Sequence, residues 1–142
     1  MAGIDDLLEE NEKTEDKKVI EMPKRKAFHT WTVKGTDYRM KLTTSMISKL
    51  EERFGNTNLL MIVSDLPPLK TMLTIAQAAM APWNHGIKYS DVEGIFDNYV
   101  EEGGNQIAFY KDHLMECMNV SGFFTENQAE TMKKAMEDMD QI

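Results

Sequence analysis

The stretch "KLTTSMISKLEERFGN", Lys41 to Asn56, predicts a short helix with well-marked ends. Thr43, Thr44 or Ser45 can each accept hydrogen bonds from the free amides at its start. Gly55 supplies the left-handed residue that commonly ends a helix. Between these ends the large apolar residues recur at helical spacing and so share one face: Met46, Ile47, Leu50 and Phe54. The stretch therefore predicts a scaffold helix that packs on a core.

A β-hairpin is predicted immediately before this helix, over residues 27–42. The segments "AFHTWTV" and "YRMKL" alternate in side-chain direction and are rich in residues that suit a pleated surface, and "KGTD" between them is typical of a turn. Because an isolated two-stranded hairpin is marginal in water, we expect it to lie on the helices or to pair with another chain.

The segments after the opening helix are also predicted to be mainly helical. "NLLMIV" (58–63) is a short buried piece, and Pro82 ends the helix that follows it. "SDVE" (90–93) has the spacing of a capping box. The expected inward stripes are Leu69, Met72, Leu73, Ala76, Ala79 and Met80; then Val92, Ile95, Phe96, Tyr99 and Val100; then Ile107, Tyr110, Leu114 and Met118.

These patterns predict a mainly α fold of the α+β class, with an N-terminal hairpin followed by a compact bundle of about five short helices. We divide the chain into an acidic flexible arm (1–22), one globular domain (23–124, with its helices within 44–120) and an amphipathic, Met-rich C-terminal helix (125–142). The arm carries eight acidic residues against three lysines and too few apolar residues to bury a lasting face.

Composition argues against several classes of function. The net charge of −8 disfavours a nucleic-acid partner. The acidic N-terminus is unlike a signal peptide, and no apolar run approaches the length of a membrane span. A single cysteine, Cys117, excludes an internal disulfide and fits a reducing compartment. We therefore expect a cytoplasmic protein that neither enters a membrane nor binds nucleic acid.

Candidate chemistry is sparse. His113 and Cys117 are four residues apart on a predicted helix and so lie on the same side of it, but two ligands do not make a metal site. His29 and His85 have no spacing that joins them to this pair. A Cys/His nucleophile pair lacks a recognisable oxyanion hole or orienting group. The prediction is therefore no catalytic, metal or cofactor residue, no cofactor and no enzyme activity, with a small enzyme using His113 and Cys117 as the minor alternative.

Acidic and glycine pairs have simpler interpretations. Two acidic pairs are adjacent on predicted helices, Glu51-Glu52 and Glu101-Glu102. The two side chains of each pair point in different directions, so both pairs are expected to be solvated helix surface. Gly103-Gly104 lacks the following Lys-Ser/Thr of a phosphate-binding loop, and a turn explains it.

Methionine is over-represented, with 12 among 142 residues, and flexible methionines suit surfaces that adapt to apolar partners. Six are expected in the core: Met40, Met46, Met61, Met72, Met80 and Met118. The stripe of Met132, Met136 and Met139 is core if its helix packs on the domain and a partner-binding face if it does not. Trp83, in "PWNHG", either belongs to a docking loop or anchors that loop to the core.

The run "YRMKLTTSMISKLEERFGNTNLLMIV" (38–63) resembles a known family. It contains, in order, a strand, a polar cap, a helix ending in Leu-Glu-Glu-Arg-Phe-Gly and a small apolar segment. Together with "GIKYSDVEGIFDNYVEEGG" (86–104) and "SGFF" (121–124), it resembles tail-assembly chaperones of long-tailed bacteriophages, in particular the group related to gene-transfer agents. The resemblance covers about residues 37–124 and excludes the acidic arm.

The resemblance implies a chaperone that binds the long, apolar, helical tape-measure protein and keeps it soluble until tail-tube subunits polymerise, with the tail tube protein as a further candidate partner. It implies action in the cytoplasm of the infected bacterium and absence from the finished particle. The alternative is a structural tail component whose hairpin edge adds strands between subunits. The hairpin edge and the Met-lined helix are also compatible with a homo-oligomer.

Overall fold

The computed structural model describes residues 24–140, except for the side chains of Met139 and Asp140. The predicted acidic arm, 1–22, lies outside the described residues. The elements are, in chain order, β1 His29–Val33, β2 Thr36–Met40, α1 Thr44–Arg53, α2 Leu59–Ser64, α3 Leu69–Met80, α4 Tyr89–Glu101, α5 Gln106–Phe109, a π turn Tyr110–Leu114, α6 Met115–Val120 and α7 Glu126–Asp140. An antiparallel hairpin followed by helices confirms the predicted α+β class.

The hairpin is closed by a two-residue turn. Lys34 and Gly35 both have positive φ, 50° and 75°, as the turn that matches the right-handed twist of paired strands requires. The predicted four-residue turn is therefore shorter than expected, because Thr36 and Asp37 already pair with β1. Trp31, Val33 and Met40 on the inner face are buried and cover the helices.

The tip of the hairpin is fixed to the end of α4. The Lys34 ammonium lies 3.0 Å from a Glu101 carboxylate oxygen, and the Lys34 amide donates a hydrogen bond to the Glu102 carboxylate. The two glutamates are exposed, as predicted for solvated helix surface, and they also hold the hairpin in place. Glu51 has a similar function in α1, because its carboxylate accepts a 2.8 Å bond from the Leu59 amide at the start of α2.

The central element is α3. Its buried side chains are Met72, Leu73, Thr74, Ile75, Ala76, Ala79 and Met80. The helix packs on β2, α1, α4 and the π turn. The Lys41 amide, directly after β2, donates a 3.0 Å bond to the Ala79 carbonyl near the end of α3. Most of the expected inward stripe is confirmed, and the helix joins the hairpin to the bundle.

The opening stretch folds as its sequence predicts. The Thr43 hydroxyl accepts the Met46 amide at 3.3 Å, so Thr43 is the N-cap. At the other end Gly55 has φ of +76°, and the amides of Gly55 and Asn56 bond to the last carbonyls of α1. Leu50 is buried, and the other three residues of the predicted stripe are half-buried.

Three residues predicted to face the core are exposed instead: Met61, Val100 and Ile107. Met61 is 70 % exposed, so its assignment to the core is wrong. The reason is that α2 has only six residues and buries the pair Leu59 and Val63, four apart, which leaves Met61 on the opposite side. Val100 and Ile107 are each 46 % exposed, and each lies near one end of its helical segment. Met46 is half-buried.

The capping box predicted at Ser90 and Glu93 is also wrong. Helix α4 begins at Tyr89, two residues earlier than a capping box with Ser90 as N-cap requires. The Asp91 carboxylate accepts a 2.9 Å hydrogen bond from the Lys88 amide and so satisfies the free donor at this end. Ser90 is therefore inside the helix.

A buried tyrosine joins the π turn to α2. The Tyr110 hydroxyl donates a 2.5 Å hydrogen bond to the Val63 carbonyl and lies 3.4 Å from the Ser64 carbonyl. These carbonyls are at the end of α2, where they have no intrahelical partner. Burial raises the pKa of Tyr110, so the hydroxyl keeps its proton.

Replacing Tyr110 with Phe is expected to lower the free energy of unfolding by about 1.5 kcal/mol, because a buried carbonyl loses its donor. Urea denaturation followed by circular dichroism measures the change. Tyr89→Phe is the matched control, because Tyr89 is half-buried and no hydrogen bond of its hydroxyl is found among the described residues; it should cost under about 0.5 kcal/mol. Equal losses in both variants would contradict the assigned bond.

Candidate functional site

Two histidines from distant parts of the chain meet beside the hairpin. The Nε2 atom of His29, in β1, lies 2.9 Å from the Nδ1 atom of His113, in the π turn. The π turn is closed by a bond from the Met115 amide to the Tyr110 carbonyl, five residues back. No sequence pattern indicates this contact, because 84 residues separate the two histidines.

Aromatic rings surround the His113 side of the pair. Its ring centroid lies 5.5 Å from Tyr99, 5.8 Å from Trp31 and 6.0 Å from Phe109. Burial, together with the smaller effect of the nearby His29, lowers the pKa of His113 from 6.5 to about 4. Burial also lowers the pKa of His29, against the opposing effect of the Glu116 carboxylate. Near neutral pH both rings are uncharged, and one donates a hydrogen bond to the other.

Cys117 does not join this pair. Its side chain is buried, and burial raises the pKa of the thiol to about 12, although hydrogen bonds with the Ser121 side chain and the Leu42 backbone act in the opposite direction. The thiol therefore stays protonated near neutral pH, whereas a nucleophilic cysteine needs the thiolate. His113 has His29 as its hydrogen-bond partner, and His85 is exposed in its loop.

Residues 24–140, which the structure describes, contain neither a metal-ligand cluster nor a helix suited to a membrane. There, no three His, Cys, Asp or Glu side chains form a group that could hold a metal ion. Within the same residues, no helix is long and apolar enough to cross a membrane.

Trp83 lies on the outer side of the hairpin. Its ring meets the edge of Phe28 at a centroid distance of 5.5 Å, and the Arg39 guanidinium lies 4.8 Å from the centre of the Phe28 ring. Trp83 remains 37 % exposed. Its loop is thus attached to the outer face of the hairpin through Phe28, and Trp83 as a partner contact stays a prediction.

The C-terminal helix α7 lies on the domain in an apolar groove. Met115, Asn119 and Phe124 belong to the domain side of the groove, and Ala129, Met132 and Met136 belong to the α7 side. The last three are partly buried against the core. The helix begins as predicted at Thr125, whose hydroxyl accepts the Gln128 amide while the Gln128 side chain accepts the Thr125 amide.

The methionine stripe thus packs on the domain at two of its three positions. The side chain of Met139 lies outside the described residues, so the prediction for it is not addressed. Full burial of a methionine side chain stabilises a fold by about 1.5–3 kcal/mol of free energy. The two half-buried methionines therefore contribute about 2 kcal/mol in total to the attachment of α7. This is weak attachment for a helix of 15 residues, a length that is marginal alone in water.

A second apolar surface lies on α2 and the segment after it. Leu60 is 36 %, Met61 70 % and Leu66 45 % exposed, within seven residues of chain. The Tyr110 hydroxyl bonds to the end of α2, and the exposed Ile107 lies one turn before Tyr110. Clustered exposed apolar residues of this kind mark surfaces that contact other molecules.

Fold and surfaces together define a small α+β protein that carries an amphipathic helix in an apolar groove. Residues 23–142 match the model of a family described as "Family of unknown function (DUF6096)", and since this match takes in most of the chain, the protein belongs to that family. No curated protein and no solved structure matches the chain significantly.

Proposed function

We propose that this protein is a non-enzymatic chaperone of phage tail assembly. It binds the apolar, helical tape-measure protein and keeps it soluble in the cytoplasm of the infected bacterium until the tail tube polymerises, and it is absent from the finished particle. The proposal rests on the resemblance of residues 37–124 to such chaperones. It needs no cofactor and no catalytic residue.

The structural observation that supports the proposal most is the apolar groove in which α7 lies. The domain already accommodates an amphipathic helix in a groove formed by Met115 and Phe124, and helix-in-groove binding is a recurring way to recognise apolar helical segments. Met115 on the domain side of the groove suits a client whose sequence varies along its length, because methionine adapts to differently shaped neighbours. The net charge of −8 keeps the resulting complexes apart in solution.

Co-expression with the tape-measure protein encoded beside this chain tests the proposal. The soluble fraction of the tape-measure protein is expected to rise several-fold when the chain is present, because its apolar helices are covered. An acidic protein of similar size serves as control for a nonspecific effect of charge. If the client is equally insoluble with and without this chain, the chaperone function is wrong.

A structural tail component is the second candidate. In the described residues the sheet consists of β1 and β2 alone, so each strand has an edge that is not paired with another strand. A subunit contact through such an edge would retain the protein in the particle. Mass spectrometry of purified particles separates the two candidates, because the chaperone is expected to be missing and the structural component to be present in fixed stoichiometry.

A further inference from the structure

We propose that α7 occupies the client's own binding site, and that a client helix binds by displacing α7 from the groove. This rests on the proposed function and names the surface that performs it. In the protein without client, α7 covers the apolar side chains of the groove. With client bound, α7 is released and an amphipathic helix of the tape-measure protein takes its place.

The contacts of α7 are of a kind that another helix can reproduce. Met115 and Phe124 on the domain side are 4 % and 6 % exposed while α7 is in place. The Lys133 ammonium of α7 lies 3.9 Å from the Glu116 carboxylate of the domain, a long ion pair. The side-chain hydrogen bonds of Thr125, Gln128 and Thr131 stay within the first turns of α7. Apolar contact therefore provides most of the attachment.

The groove is able to persist when α7 leaves. The Arg25 guanidinium donates a 2.8 Å hydrogen bond to the Phe124 carbonyl, which fixes the chain directly before the cap of α7. Met115 and Asn119 belong to α6, whose packing on β1 and the π turn does not involve α7. Release of α7 can thus begin at Thr125 without removing the residues that line the groove.

The seat of α7 also specifies the helix that fits. The packed face of α7 has a small residue at i, Ala129, and large apolar residues at i+3 and i+7, Met132 and Met136. A positive charge at i+4, Lys133, lies toward Glu116. The groove is therefore expected to select client segments with this spacing and with Lys or Arg beside the first large apolar residue.

The first test uses the chain's own helix as the probe. A fluorescein-labelled peptide of residues 125–142 is titrated with the full chain and with the full-length double variant Met132→Ser, Met136→Ser, and anisotropy gives the Kd. The double variant is expected to bind the peptide about tenfold more tightly than the unchanged chain, because its own helix competes less well for the groove. Glu130→Ser with Lys134→Ser is the matched control: it places serine at two exposed positions of α7, keeps both methionines, and should bind like the unchanged chain.

A locked form gives the opposite change. The substitutions Glu116→Cys and Lys133→Cys, in a Cys117→Ala background, provide two thiols that a short bis-maleimide cross-linker joins. The same protein without cross-linker is its control. The cross-linked form should lose binding of the labelled peptide, because α7 cannot leave. Circular dichroism of every variant checks that the domain is folded. If the double variant does not bind the peptide more tightly, or if the locked form binds it unchanged, displacement is wrong.

The client is then tested on the same groove. Overlapping peptides of the tape-measure protein are used to displace the labelled peptide from the Met132→Ser, Met136→Ser variant, and those with the specified spacing should compete. If tape-measure peptides bind but leave the labelled peptide in place, the site assignment is overturned while the chaperone function stands. If none binds and the intact client is not solubilised either, the function itself fails. Weaker client binding in the double variant than in the unchanged chain would mean that the methionines contact the client directly, which contradicts displacement.

Discussion

Substitution of Trp31 by Ala is expected to lower the free energy of unfolding by about 4 kcal/mol, a large part of the stability of a domain of this size. The Trp31 side chain is fully buried at the centre of the fold. Its ring lies 4.9 Å from Phe109 and 5.5 Å from Tyr99, both edge-on, and joins the hairpin to α4 and α5. Removing it leaves a cavity where three parts of the chain meet. Urea denaturation measures the loss.

The second tryptophan is the matched control. Trp83 is 37 % exposed and packs on Phe28 outside the core, so Trp83→Ala should cost about 1 kcal/mol. Trp31→Phe is informative as well, because the Nε1 donor of Trp31 is buried with no partner among the described residues. This replacement keeps an aromatic ring and removes the unpaired donor, so it should cost well under half as much as Trp31→Ala. Similar losses for the two alanine variants would contradict the central position of Trp31.

The histidine pair is expected to make the protein about 2 kcal/mol less stable at pH 5 than at pH 8, beyond the effect of its other titrating groups. The pKa of His113 is lowered from 6.5 to about 4, and the pKa of His29 is lowered too. At His113 the unfolded chain therefore takes up a proton as the pH falls through 6.5, whereas the folded chain takes it up only near pH 4. Stability is full above this pH and declines toward pH 4, where the folded state is protonated as well.

His113→Asn isolates this effect, because the amide keeps a polar group near the Nδ1 position and does not titrate. The free energy of unfolding of this variant should fall by about 2 kcal/mol less between pH 8 and pH 5 than that of the unchanged protein. The charged groups that act on the pair are Glu116, Asp112 and Lys26, and all three are retained. His85→Asn is the control, since His85 is exposed. Parallel pH profiles for His113→Asn and the unchanged chain would show that the pair does not stay neutral.

Local patterns predicted the elements whose apolar residues repeat over several turns. The stripe of α3 was long enough to fix its buried face, and Thr43 and Gly55 marked the ends of α1 because their chemistry is local. Met61 was misplaced because a helix of six residues is too short to define a face by periodicity. The capping box at Ser90 is wrong because the Asp91 carboxylate, two residues before Glu93, caps the helix at Lys88 instead.

Contacts between distant parts of the chain could not be predicted from the sequence patterns. His29 and His113 meet only because β1 packs against the π turn, and the wider π turn has no marker in the sequence. For the methionine stripe, sequence alone left core and partner face as alternatives. The structure places Met132 and Met136 partly against the core, on the helix that we propose to be displaced. In the proposed displacement, Met132 and Met136 pack on the domain in the free protein, and the client takes their place in the groove.

Hydrogen exchange of the chain with and without the tape-measure protein is the measurement that tests displacement most directly. In the complex, amides of residues 126–138 should exchange faster than in the free protein, because α7 is released and is marginally stable alone. Amides of residues 115–124 should exchange more slowly, because the client covers the groove. Slower exchange in α7 as well as in the groove would contradict displacement, since α7 would then remain in place and contact the client itself.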